Sequence, residues 1–185
     1  ELHPIASTQA YDVYKTPNLG VKWYADPHLT SYLNHESRSH MHTDVRRYLF
    51  VSAYGAAMKI SPLLCDFPNL LLPKHNNVLH DNDTGEQKFA DRFKVQLANE
   101  PSSTVTSHIS KDGHYFIHYD PVQCRSLTVR EAARLQTFPD NYFFEGNRTE
   151  QYHQVGNAVP PYLAKQLADV VRGIFHQILI IQEEG

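Results

Sequence analysis

The pattern of apolar and polar positions is clearest after residue 125, where it predicts a short, well-capped helix. Thr128 stands three residues before Glu131, and this spacing lets each side chain bond the other residue's backbone N–H, as in a capping box. The positions that follow are good helix formers. Pro139 ends the helix, because the residue before a proline is pushed out of the α region.

A long amphipathic helix is predicted for residues 162–181. Pro160 and Pro161 open it, since proline is favoured in the first turn of a helix, where its missing N–H is not needed. We interpret Gly156 and Asn157 as a tight turn before it and the stretch from residue 141 as a loop. The apolar residues that recur at helical spacing are Leu163, Leu167, Val170, Val171, Ile174, Phe175 and Ile178.

A third helix is predicted between Thr43, as its cap, and residue 60. Arg46 and Arg47 fall in its first turns, where they indicate either a solvated face or phosphate contacts, and we favour the solvated face. The stripe predicted to be buried consists of Val45, Leu49, Ser52, Ala56 and Ile60, with Tyr48 and Ala53 beside it.

Strands are predicted in the middle of the chain and near its beginning. Residues 89–96 alternate in polarity, and residues 104–106 and 115–118 read as a hairpin around a turn at Gly113. A short strand is also expected at residues 21–24, and residues 63–88 are turn-rich and predict a mobile loop. These elements predict an α+β fold with antiparallel strands and short helices.

Composition and charge exclude some classes of protein. Hydrophobic residues make up 41% of the 185, as in globular proteins, and no apolar run is long enough to span a bilayer. The net charge of −3 argues against a simple basic DNA-binding protein, although residues 88–134 carry seven Lys and Arg against five Asp and Glu. The two cysteines lack metal-site spacing and fit a reducing compartment, so we expect a cytoplasmic protein.

Histidines cluster at residues 35–42. His35-Glu-Ser-Arg-Ser-His40-Met-His42 suggests a metal site at first sight, but His-Glu-x-x-His needs a helix to align its histidines, and the serines disfavour a helix here. We favour loop or DNA-proximal histidines over a metal-binding scaffold, and we expect no metal.

Two stretches resemble the last two sequence motifs of the C5-cytosine DNA methyltransferases. Arg125-Ser-Leu-Thr-Val-Arg-Glu-Ala-Ala-Arg-Leu-Gln-Thr-Phe-Pro-Asp140 is similar to the ninth motif, and Gln154-Val-Gly-Asn-Ala-Val-Pro-Pro161 is similar to the tenth. Residues 101–118 look like the end of that family's target-recognition region. The nucleophile motif Pro-Cys-Gln and the cofactor loop Phe-x-Gly-x-Gly do not occur, and Cys65 and Cys124 have other neighbours than the family's catalytic thiol.

The resemblance implies that the chain is the C-terminal part of an S-adenosylmethionine-dependent DNA (cytosine-5) methyltransferase. Residues 1–124 would be the small, irregular target-recognition region, residues 125–161 the two motifs, and residues 162–185 a helix and tail that belong to the absent methyltransferase core. We therefore expect no catalytic residue in this chain, no activity by the chain alone and little cofactor binding. The alternative is a stand-alone DNA-binding module that has no enzymatic activity.

The resemblance also implies site residues and partners. Gly156, Asn157 and Ala158 would line the S-adenosylmethionine pocket, and Arg130 and Arg134 would organise the domain rather than hold phosphate. The partners would be double-stranded DNA and the catalytic domain, and the protein would be associated with the bacterial nucleoid. A homodimer is also expected, because the apolar stripe of residues 162–181 needs cover. The residues predicted to contact DNA are Arg92, Thr104, Thr106, Ser107, His108, Lys111 and Arg125.

Overall fold

Helices carry most of the regular structure in the residues that the computed structural model describes, namely 3–4, 21–73 and 90–183. Two short strands in these ranges, β1 at His3–Pro4 and β2 at Ser31–Tyr32, pair antiparallel. The helices of these ranges are α1 (Val21–Tyr24), α2 (His42–Met58), α3 (Val129–Leu135), α4 (Arg148–Asn157) and α5 (Pro161–Glu183). The α+β class and the domain boundaries remain predictions.

Helix α3 confirms the capping box that the sequence predicts. The Thr128 N–H donates to Glu131 Oε2 at 2.8 Å, and the Glu131 N–H donates to Thr128 Oγ1 at 3.2 Å. The helix ends at Leu135, and Thr137 then adopts the left-handed conformation with φ of 64°. Two residues further on, Pro139 excludes any continuation.

Helix α4 was not predicted, and it corrects the prediction of a loop followed by a turn at Gly156. A second capping box opens the helix: the Asn147 N–H donates to Glu150 Oε2 at 2.8 Å, and the Glu150 N–H donates to Asn147 Oδ1 at 3.1 Å. Gly156 and Asn157 are its last two residues, so they end one helix rather than form a turn before the next.

Helix α2 forms where it was predicted, but it buries a different face. The predicted cap Thr43 is exposed, and Met41 precedes the helix without a side-chain cap. Leu49 and Ile60, both assigned to the buried stripe, are 49% and 57% exposed. The buried residues are Asp44, Tyr48, Val51, Ser52 and Gly55, a stripe at helical spacing that is partly polar and therefore does not stand out in a hydrophobicity pattern.

The predicted hairpin between residues 104–106 and 115–118 is wrong. Ile117 instead forms isolated bridges with Val95, in parallel, and with Ser126, antiparallel. Residues 104–106 run extended into a 3-10 turn at Ser107–Ser110. The β-branched residues of this stretch fit the chain's packing rather than a sheet, which shows how strongly tertiary context modifies strand propensity.

Two other local predictions are revised. Residues 21–24 form α1 and not a strand, because the Trp23 indole N–H donates to the Thr137 carbonyl at 2.8 Å and its ring packs edge-on to Tyr162. Of the predicted mobile loop, residues 63–73 contain the 3-10 turns Leu64–Asp66 and Asn69–Leu71, while residues 74–88 lie outside the described residues.

The buried apolar side chains form two clusters. The first packs α3 and α4 against the residues around the 3-10 turn at Ser107–Ser110. The second packs α2 against residues 64–67, residues 93–95 and Ile117. The first consists of Val105, Ile109, Phe116, Leu127, Val129, Ala132, Ala133, Phe138, Phe144, Tyr152 and Val155. The second consists of Tyr48, Val51, Leu64, Phe67, Phe93, Val95 and Ile117.

Helix α5 confirms the predicted C-terminal helix and carries an uncovered apolar stripe. The side chains from Leu163 to Ile181 are all exposed, with Leu167 at 56% and Ile174 at 52%. Among the described residues, no helix is both long enough and apolar enough to cross a membrane.

Candidate nucleic-acid interface

The segment of residues 104–111 has most of its backbone carbonyls engaged in hydrogen bonds. Six of them accept a bond, either from the segment itself or from side chains of other elements. These bonds are Gln136 Nε2 to Val105 O, Ile109 N to Thr106 O, Ser110 Oγ to Ser107 O, Lys111 N to His108 O, and the two terminal nitrogens of Arg38 to Ile109 O and Lys111 O. Such a segment is ordered before any ligand binds, which lowers the entropic cost of binding.

The predicted DNA-contacting residues of this segment come together on its outer side. Val105 and Ile109 are buried in the first apolar cluster and anchor the segment to the core. Between and beyond these two anchors, the side chains of Thr104, Thr106, His108 and Lys111 are exposed, and Ser107 is half-buried. Five of the seven predicted residues therefore lie on one fixed segment, which presents hydroxyls, an imidazole and an ammonium group.

Helix α4 packs closely against the backbone of this segment at Gly156. A Cβ built on Gly156 would lie 2.5 Å from the Thr106 carbonyl oxygen and as close to the Ser107 backbone. Only glycine permits this approach, so Gly156 has a packing role in the structure. His153, one turn earlier on α4, is 3.2 Å from Ser110 Oγ through its Nε2.

Arg92, predicted to contact DNA, lies at one end of a chain of polar side chains and is 28% exposed. Its guanidinium is 3.5 Å from Asp112 Oδ2, the same oxygen that lies 3.5 Å from His114 Nε2. The other ring nitrogen of His114 bonds the hydroxyl of Tyr48 at 2.8 Å. Burial lowers the pKa of His114, although Asp112 opposes this shift. These contacts hold the Asp112 carboxylate between Arg92 and His114.

Arg125, the seventh predicted DNA contact, is engaged in a bidentate ion pair with Glu131. Both N–O distances are 2.7 Å, and both side chains are 13% exposed. Burial alone raises the pKa of Glu131, but the Arg125 bonds outweigh it and hold that pKa at about 2. Arg125 therefore stabilises the capping box of α3, and DNA contact by this residue remains a prediction.

Arg130 and Arg134 organise the domain, in agreement with the role that the resemblance implies. Arg134 pairs with buried Asp140 through two bonds of 2.8 and 2.7 Å. Arg130 is 1% exposed and donates to the carbonyls of Leu33, Pro139 and Tyr142. Burial lowers the pKa of Arg130 to about 10, so it stays charged at neutral pH.

The role of the residues predicted to bind the cofactor remains a prediction. The face of Gly156 on which a Cβ would lie is covered by the backbone of Thr106 and Ser107, while the residue as a whole is half-buried. Asn157 is exposed and Ala158 is half-buried. The helix N-terminus expected to attract a carboxylate belongs to α5, where the Tyr162 N–H already donates to Thr137 Oγ1 at 3.1 Å.

The histidine-rich stretch is engaged in contacts with other parts of the domain. His35 Nδ1 lies 2.9 Å from Thr128 Oγ1, and the Ser126 N–H donates to His40 Nε2 at 3.2 Å. Glu36 forms an ion pair of 2.8 Å with Arg148. In the part of the chain that the structure describes, no three His, Cys, Asp or Glu side chains are grouped as metal ligands.

Neither cysteine has the surroundings of an activated nucleophile. The Cys124 thiol donates to the Pro121 carbonyl at 2.9 Å, and burial raises its pKa, so little thiolate forms at neutral pH. Cys65 is exposed in the 3-10 turn Leu64–Asp66. That the chain holds no catalytic thiol remains a prediction.

Comparison with known protein families identifies the domain to which this geometry belongs. A model of the C-5 cytosine-specific DNA methylases matches residues 29–172. The chain belongs to this family. The region of this chain that matches the methylase model includes the 104–111 segment, α3, α4 and the first half of α5.

The relatives of this methylase chain cover it to different extents. Type II methyltransferase M.Bpa9945I of Bacillus paralicheniformis is 60% identical over 49% of this chain and 20% of its own length. Type II methyltransferase M1.HphI of Haemophilus parahaemolyticus is 36% identical over 75% of this chain and 31% of its own length. The chain thus spans a fifth to a third of these two relatives.

One relative differs in how much of it is matched. Type II methyltransferase M.AquIB of Picosynechococcus sp. is 33% identical over 64% of this chain, and the matched part makes up 99% of that relative. A methylase relative therefore exists whose whole length corresponds to part of this chain.

Proposed function

We propose that this chain is the target-recognition part of an S-adenosylmethionine-dependent DNA (cytosine-5) methyltransferase whose catalytic core is not in the chain. The observation that carries the proposal is the 104–111 segment, whose backbone is fixed while its polar side chains are exposed. Support for the missing core comes from the sequence, which has no Pro-Cys-Gln motif.

The segment's side chains match the needs of DNA recognition. Hydroxyls and a lysine suit phosphate oxygens and fix the protein's register on the duplex, whereas His108 and the threonines can contact base edges. In the proposed enzyme, the target cytosine leaves the base stack and enters a pocket of the core. The thiolate that attacks it would also come from the core, and the role of this chain is to hold the correct duplex in place.

S-adenosylmethionine would supply the methyl group when bound to the core. Exposed Asn157 and half-buried Ala158 are this chain's candidates for its rim, and Ala158 also packs against the first apolar cluster. Gly156 would serve the site indirectly, through its packing against the recognition segment. The full enzyme's type II restriction-modification role and its nucleoid association belong to the same proposal.

Titration of duplex DNA with charge-deleted variants tests the proposal. We expect weak binding by the chain, and Arg92→Ala with Lys111→Ala should weaken it and reduce the dependence of log affinity on log salt by up to about 1.8, or about 0.9 per phosphate contact. The matched control is Lys165→Ala with Arg172→Ala, which removes two cations that pair with Asp169 on α5. An equal loss in both double variants would show that net charge, and not this segment, governs binding.

A further inference from the structure

Residues 34–40, which we call the strap, connect parts of the fold that lie far apart in sequence. The side-chain amide of Asn34 bonds both the N–H and the carbonyl of Phe144, each at 3.0 Å. At the other end, His40 accepts the Ser126 N–H just before α3. Between these two anchors, Arg38 reaches the 104–111 segment.

Arg38 holds the last turn of that segment through two hydrogen bonds. Its terminal nitrogens donate to the carbonyls of Ile109 and Lys111, each at 2.7 Å. Its guanidinium carbon lies 4.2 Å from the ring centroid of Tyr152 on α4, in a cation–π contact. A planar guanidinium presents donors from separate nitrogens in a fixed fork and stacks on a ring face, whereas an ammonium group is a point charge on a flexible stem.

The third guanidinium nitrogen of Arg38, Nε, differs from the two terminal nitrogens. Its Nε is buried and has no hydrogen-bond partner among the described residues. A buried donor without an acceptor is unfavourable. The position of the side chain therefore satisfies the Ile109 and Lys111 carbonyls while it leaves Nε without an acceptor.

We propose that Arg38 is a positioning residue that fixes the 104–111 segment in the shape in which its exposed side chains meet DNA. The anchoring follows from the contacts of Arg38, and the identity of the ligand rests on the proposed function. Without the guanidinium, the Ile109 and Lys111 carbonyls would turn to water and the turn that carries Lys111 would sample other shapes. Binding would then have to order it again.

Two substitutions of Arg38 separate geometry from charge. Arg38→Met keeps the length of the side chain but removes the donors, and Arg38→Lys keeps the charge but loses the planar pair of donors. Arg172→Met is the matched control, because Arg172 is 81% exposed on α5. Each full-length variant is compared with the parent chain by circular dichroism, by amide hydrogen exchange and by titration of a fluorescent random-sequence 20-bp duplex.

We expect both Arg38 variants to fold and to bind the duplex about tenfold more weakly, with the control unchanged. The Lys111 amide, which bonds His108 O, should exchange at least about tenfold faster, while the Ala132 and Gln136 amides of α3 keep their protection. Parental binding by Arg38→Lys would overturn the proposal, since charge alone would then suffice. Loss of folding in both variants would also overturn it, because Arg38 would then support the whole domain.

The hydrogen-exchange measurement separates this proposal from the proposed function. If the parent chain binds no duplex but Lys111 is deprotected only in the Arg38 variants, DNA recognition fails and the positioning by Arg38 stands. If the parent chain binds and the Lys111 amide is unaffected in both variants, the positioning by Arg38 is wrong and DNA recognition stands.

Discussion

Replacing Gly156 with alanine tests the central packing contact of the candidate interface. The new Cβ would lie 2.5 Å from the Thr106 carbonyl oxygen, whereas ordinary contacts begin at about 3.5 Å, so the backbone of the 104–111 segment or α4 must move by about 1 Å. Overpacking of this kind costs about 1–3 kcal/mol. Alanine is favoured over glycine in helices by at most about 1 kcal/mol, and less at the end of a helix, so we expect net destabilisation of about 1–2 kcal/mol.

Gly173 provides the matched control, because it is also a helical glycine but has no neighbouring atom within 4 Å of the position that a Cβ would take. Gly173→Ala should therefore leave the stability unchanged or raise it by up to about 1 kcal/mol, through helix propensity alone. The opposite signs expected for the same substitution separate packing from propensity.

Urea denaturation followed by tryptophan fluorescence measures both variants. Trp23 is the chain's single tryptophan, and it packs against Tyr162 and Thr137 beside α3 and α5. Equal changes in the free energy of unfolding for Gly156→Ala and Gly173→Ala would refute the close contact. A role of Gly156 confined to cofactor binding also predicts that Gly156→Ala leaves stability unaffected, so the result decides between these two roles.

Three further predictions concern acid stability, assembly and activity. Burial first, and then nearby Arg38, lower the pKa of His40 from 6.5 to about 4, so the unfolded chain binds the extra proton and stability should fall as pH drops from about 6.5 to about 4. His40→Gln should make this dependence less steep in urea titrations at several pH values, and an unchanged slope would contradict the assignment. Two copies of the chain should pair through the apolar stripe of α5, because burying each of its apolar side chains contributes roughly 1.5–3 kcal/mol. Leu167→Glu with Ile174→Glu should then give a monomer in light scattering. A parent chain that is already monomeric at high concentration would exclude the dimer. The chain alone should transfer no methyl group from S-adenosylmethionine to DNA in a radiolabel assay, and turnover lost on Cys65→Ser or Cys124→Ser would contradict this.

The parts of the fold that local signals determine could be predicted from sequence. The capping box at Thr128 and the prolines before α5 act over three or four residues, so their effect does not depend on the rest of the chain. The start of α4 carried the same kind of signal in Asn147 and Glu150, and it could have been found by the same reasoning. The buried face of α2 could not, because Ser52 bonds the distant His118 carbonyl and Gly55 lies close to Val95 and Leu97.

The candidate site divides in the same way. The exposed residues of the 104–111 segment were predicted from their chemistry and from the resemblance, although the hairpin expected to carry them does not form. Arg38 was missed because its acceptors lie 71 and 73 positions away, and nothing local marks an arginine in a polar stretch as an anchor. Arg125 was assigned to DNA because a lone sequence does not show that Glu131 engages its guanidinium.

The arginines of this domain bear on how a chain of net charge −3 would present the proposed surface for DNA. Arg38, Arg130 and Arg134 direct their donors to carbonyls or to Asp140, and so contribute shape rather than free positive charge to the surface. The cationic side chain left on the fixed segment is that of Lys111, with hydroxyls and an imidazole around it. A surface built in this way attracts phosphate weakly but holds its polar groups in a defined arrangement, and arrangement is what distinguishes one base sequence from another. Tight attachment to DNA would then have to come from the catalytic core, and this domain would contribute mainly the choice of site.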